Sequence, residues 1–139
     1  NTLFQNFITL QKADFLQKNV VSVSYEETGN ELIALLKFSE EIKINKPLYN
    51  FVAKVNNDNI KFNNDNLIIV DKGRAVGEKS ILLIENNEFK GFCYTHLSYQ
   101  VNNLEVLRKA ISPMENSTLN RSIIKTYLQK NNIEKLIRF

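Results

Sequence analysis

The sequence predicts an α+β fold from three observations. Leu67 to Val70 and Ile81 to Ile84 are short, purely aliphatic runs of strand length. A third extended run, Phe89 to Ser98, follows the turn pair Asn86-Asn87, so three antiparallel strands are expected. Apolar residues at helical spacing both precede and follow these runs. The expected order is a helix–strand–helix unit over residues 1–50, an Asn-rich connection over 51–66, and a small antiparallel sheet with two C-terminal helices over 67–139. With 139 residues and 43% apolar composition, the chain has room for one ordinary domain or two small pieces.

In order, Leu3, Phe4, Phe7, Ile8, Phe15 and Leu16 mark a helix within Thr2 to Lys18. Val20 to Glu26 alternates, with Val21, Val23 and Tyr25 on one side, and reads as a half-buried strand. Thr28 or Asn30 caps the next helix, which Pro47 stops because it lacks an N–H and restricts its predecessor. On its wheel Leu32, Leu35, Leu36 and Ser39 form one face, with Ile42 near an edge and Phe38 further out. Asn56 to Asn59 and Asn63 to Asn66 crowd the connection with turn formers. After the strands, Asn102 or Asn103 caps a helix over Leu104 to Ile111, ended by Ser112-Pro113. Ser117 or Thr118 caps another to about Lys130, with Ile123, Ile124, Tyr127 and Leu128 inward. Lys135 to Phe139 alternates weakly, as an edge strand would.

No aliphatic run approaches the roughly 20 residues of a membrane helix, so no membrane partner is expected. One cysteine, Cys93, excludes an intramolecular disulfide and points to the cytoplasm. A lone histidine, His96, leaves too few ligands for a His/Cys zinc cluster. The net charge of +3 is compatible with a phosphate-bearing partner without requiring one.

Two stretches resemble known proteins. Lys46-Pro47-Leu48-Tyr49-Asn50, at the end of a helix, resembles the basic-Pro-x-Tyr-Asn close of the metal-binding helix in the GIY-YIG nuclease family. Asp71-Lys72-Gly73-Arg74, Glu78-Lys79-Ser80, Leu83-Ile84-Glu85-Asn86 and Lys90-Gly91-Phe92 resemble the region behind the GIY-YIG domain in bacterial proteins that fuse it to a DNA polymerase III epsilon-like exonuclease. Both occur here in the family's order. The resemblance implies a relative of a metal-dependent DNA nuclease of replication or repair, with Mg or Mn in the intact family and DNA as partner. It also implies contact with an upstream nuclease domain. Asn50 falls on a family active-site position, with Tyr49 as its packing neighbour. The helix position of the family's catalytic, metal-binding glutamate is Phe38, and no Gly-Ile-Tyr or Tyr-Ile-Gly is present. A phenyl ring cannot hold a cation, so this chain is not expected to cut DNA alone, and no cofactor is expected in it.

The residues themselves offer phosphate contacts at two places. Lys72, Arg74 and Lys79 flank a glycine-bounded loop between strands, which suits phosphates or simply solvent. Arg121 and Lys125 share a helical face that either meets phosphates or is solvated. Phe89, Phe92 and Tyr94 read as core rather than base-stacking residues. The alternative function is a non-catalytic module that binds DNA or a partner protein.

Overall fold

The computed structural model describes residues 18–47, 62, 66–96, 103–130 and 133–139. The expected helix within Thr2 to Lys18 lies almost wholly outside the described residues; Lys18 and Asn19 are helical. Most of the Asn-rich connection also lies outside them.

The fold is α+β. Helix α1 (Glu31–Asn45) leads into strands β1 (Leu67–Lys72), β2 (Lys79–Glu85) and β3 (Glu88–Thr95). Helix α2 (Leu104–Ala110), the two-residue strand β4 (Ser112–Pro113), helix α3 (Thr118–Lys130) and strand β5 (Lys135–Arg138) follow. The five strands form one antiparallel sheet in the order β4-β3-β2-β1-β5. The β2–β3 hairpin turns on Asn86 and Asn87, whose φ angles of 54° and 64° are those of the tight turn that the right-handed twist of a hairpin favours. The weakly alternating tail does pair as an edge strand, Ile69 opposite Leu136 and Leu67 opposite Arg138.

Helices cover both faces of the sheet. On one, Leu32, Ile33 and Leu36 of α1 and Ile124 and Tyr127 of α3 pack with Phe62, Leu67, Ile69, Leu82, Ile84, Phe89 and Phe92. On the other, Leu107 of α2, flanked by Leu104 and Ile111, packs with Ile68, Val70, Ile81, Leu83 and Cys93. Burial on both faces is why β1 and β2 read as unbroken aliphatic runs instead of alternating ones. The helix before the Asn-rich stretch and the sheet after it thus share one apolar core.

Asn30 caps α1. Its Oδ1 accepts from the Ile33 N–H at 3.0 Å, while its Nδ2 donates to the Lys72 carbonyl and to Ser80 Oγ, both at 2.7 Å. One amide therefore satisfies a helix N–H and fixes the helix to the ends of two strands. The approach is close: a Cβ on Gly29, whose φ is +78°, would stand 2.1 Å from the Gly73 carbonyl oxygen.

Two expectations change. Residues 20–28 join no strand ladder among the described residues, and Val21 and Tyr25 are 99% and 90% exposed. Alternation sets which side of a strand is apolar but supplies no backbone partner, and here neither is in place. On α1 the buried face is Leu32, Ile33, Leu36 and Ser39, with Leu35 exposed. The wheel turns towards Ile33 because α1 lies against both the sheet and α3. There the buried Ser39 hydroxyl donates to Asn120 Oδ1 at 2.6 Å.

Replacing Asn30 with Ala removes a cap worth about 1 kcal/mol and leaves polar strand-end groups without their partner, at a further 1 kcal/mol or so. We expect urea unfolding of Asn30→Ala to show a lower midpoint with an unchanged slope, and an unmoved midpoint would refute the clamp.

Candidate nucleic-acid interface

The loop from Gly73 to Glu78 is built around a buried carboxylate. Glu78 is 6% exposed, and its Oε2 accepts from the Arg74 backbone N–H at 2.7 Å and from Arg74 Nε at 3.0 Å, while Oε1 accepts from Nη2 at 2.7 Å. Such a two-pronged guanidinium–carboxylate pair is both strong and directional. The Gly73 N–H donates to the Glu78 carbonyl at 2.9 Å and closes the loop. The Arg74 guanidinium also stacks on Tyr94, 4.1 Å from the ring centroid, and Tyr94 Oη donates to the Thr28 carbonyl at 3.1 Å. His96 Nε2 lies 3.8 Å from Glu78 Oε1. Hydrogen bonds from Arg74 hold the Glu78 carboxyl down to about 2, against the opposing effect of burial.

The five basic residues marked by the sequence do not converge. By strand alternation Lys72 and Lys79 project to the α2 side, in line with Val70 and Ile81, and they face one another directly across the β1–β2 ladder. Arg74 is on the other side, against Tyr94, with its charge met by Glu78. Lys79 is met by Glu134, whose two oxygens accept from Nζ at 2.9 and 2.6 Å. Lys72 makes no ion pair among the described residues. On α3 the Arg121 guanidinium turns back to the Asn116 carbonyl and Thr118 Oγ1, so it braces the helix start instead of reaching outward. Lys125 is half-buried on the same helix.

Asn50 and Tyr49 lie outside the described residues. Phe38 is described, on α1 and 46% exposed. Among the described residues no three His, Cys, Asp or Glu side chains are grouped to hold a metal ion. The Mg or Mn of the intact nuclease family does not fit α1: Phe38 offers no donor atom, and Glu31 sits seven residues, about 10 Å, along the axis. Phe89 and Phe92 are buried in the core, as expected. Cys93 is buried on the α2 side, where desolvation pushes its thiol up to about 11, and His96 lies on the other side.

No family model, curated protein or solved structure matches the chain. No described helix is long and apolar enough to cross a membrane.

Glu134, Glu78 and Tyr94 were not among the residues singled out as sites. The first pairs with Lys79 across 55 positions, which no local spacing reveals. Glu78 stands four residues after Arg74, a spacing that signals contact on a helix but not in a loop.

The Glu78 carboxyl ordinarily titrates at 4.5 and is depressed in the fold, so its stabilisation is complete above that value and is lost as pH falls towards 2. We expect the urea midpoint of the wild-type protein to fall more steeply across this acid window than that of Glu78→Gln. Parallel pH profiles would show that Arg74 and Glu78 do not pair in solution.

Proposed function

We propose that this chain is a non-catalytic DNA-engaging part of a replication or repair nuclease of the epsilon-exonuclease and GIY-YIG type. Its role is to hold nucleic acid through phosphate contacts, with cutting left to other parts of such an enzyme. The observation that carries this reading is the seating of α1. This helix carries the GIY-YIG-like ending, and it packs by Leu32, Ile33 and Leu36 onto the sheet built from the second resembling stretch. It leaves Phe38 facing outward where the family has its glutamate. The helix that leads into the first resembling stretch thus shares a core with the sheet that carries the second, and the outward Phe38 offers no donor atom for metal chemistry, which supports a non-catalytic role.

A second reading, docking on a protein partner, is favoured by the half-exposed Leu35 and Phe38, which lie three residues apart along one side of α1.

The test is fluorescence anisotropy and gel cleavage with labelled single- and double-stranded DNA, in the presence of Mg or Mn. We expect binding that weakens steeply between about 50 and 200 mM salt, with no cleavage. Cleavage by the purified chain would overturn the non-catalytic part of the proposal. No binding at low salt would overturn the DNA part and leave the partner-docking reading.

A further inference from the structure

The end of the sheet on the α2 side gathers three lysines from three strands. Lys72 and Lys79 are directly opposed between β1 and β2, which places their Cβ atoms roughly 4.5–5.5 Å apart. Lys135 opposes Val70 on β5, and it shares the face of Ile137, which packs into the α2-side core. Since Val70 and Lys72 are two residues apart on one face, Lys135 and Lys72 are diagonal neighbours at roughly 7–8 Å. Like charges set directly across a ladder are destabilising, so such a cluster calls for an anion.

One carboxylate answers it. Glu134 grips Lys79 with both oxygens. The other acidic side chains that this face presents are met elsewhere: Glu85 of β2 and Glu105 of α2 pair with Arg108, and Glu88 of β3, opposite Glu85, pairs with Lys90. Asp71 belongs to the opposite face, where it accepts from the Tyr127 hydroxyl at 2.7 Å. Lys72 and Lys135 are exposed and carry no ion pair among the described residues.

We propose that this three-lysine end of the sheet is where the DNA backbone seats, and that Glu134 holds the place of a phosphate until DNA displaces it. The proposal rests on the DNA-engaging reading and adds its location, a residue absent from the sequence motifs (Lys135) and a built-in competitor. Arg74, Arg121 and Lys125 are outside the surface: Arg74 stacks on the other face, and the α3 pair packs over that same opposite face.

The test is anisotropy of the full chain with a labelled DNA duplex over a salt series, using Lys72→Gln, Lys135→Gln, Glu134→Gln and the control pair Arg121→Gln/Lys125→Gln. Each lysine variant is expected to bind more weakly and to lower the slope of log affinity against log salt by about 1. Glu134→Gln is expected to bind about threefold more tightly, as an exposed ion pair is given up, and the control pair to match wild type. Circular dichroism melting of each variant separates lost binding from lost folding. If DNA binds but all the variants match wild type, this location is wrong and the DNA-engaging reading stands. If Glu134→Gln weakens binding in a folded protein, the carboxylate is not a competitor and the proposal falls. If neither wild type nor Glu134→Gln binds DNA at low salt, both fall together.

Discussion

The structure depends first on where α1 is pinned. A helix leaves its first N–H groups without intrahelical partners, and strand ends leave carbonyls in the same state. The Asn30 amide joins the two deficits: its oxygen serves the helix and its nitrogen serves the Lys72 carbonyl and Ser80. All of its hydrogen-bonding hydrogens are used, so rotating it by half a turn would break every one of these bonds at once. With that end fixed, Leu32, Ile33 and Leu36 are brought over Leu82 and Ile84, and α3 closes alongside through Ser39 and Asn120. Gly29 makes the approach possible, since any side chain there would meet the Gly73 backbone.

The same arrangement explains the character of the neighbouring loop. Tyr94 reaches back to the Thr28 carbonyl while its ring carries the Arg74 guanidinium. Arg74 in turn grips the buried Glu78, whose carboxylate would otherwise bear an unmet desolvation cost. The most conspicuous arginine of the basic stretch is thus committed to holding the loop in shape. On the other side of the sheet, Lys72 and Lys135 are exposed and carry no ion pair among the described residues.

Much of this was legible in the chain, and the failures are physically specific. Unbroken aliphatic runs revealed β1 and β2 because both of their faces are covered, and Asn86-Asn87 revealed the hairpin because few other residues accept positive φ. Asn30 and Asn103 mark helix starts because their side chains accept from orphan N–H groups, and Pro47 marks a helix end because it has no N–H to continue the ladder. Strand β4 was invisible, since Ser112-Pro113 carries no strand pattern and pairs only because Gly91 lets the chains meet. Val20 to Glu26 misled because periodicity describes side chains and says nothing about whether a backbone partner exists. At the candidate interface the sequence supplied residue types but not faces. Lys72 and Arg74 are near neighbours in sequence yet serve opposite sides of the sheet, and Lys135 joins Lys72 only through the β1–β5 register.

Cys93 has a practical consequence. The thiolate, not the thiol, is the reactive species, and this thiol is both enclosed by the α2 side of the sheet and pushed up to about 11. At neutral pH very little of it is thiolate, so the native sulfur is expected to react slowly with alkylating dyes and mild oxidants. A cysteine introduced on an exposed position would be the one labelled, so a fluorophore or spin label can be attached to the folded wild-type background without first removing a core side chain.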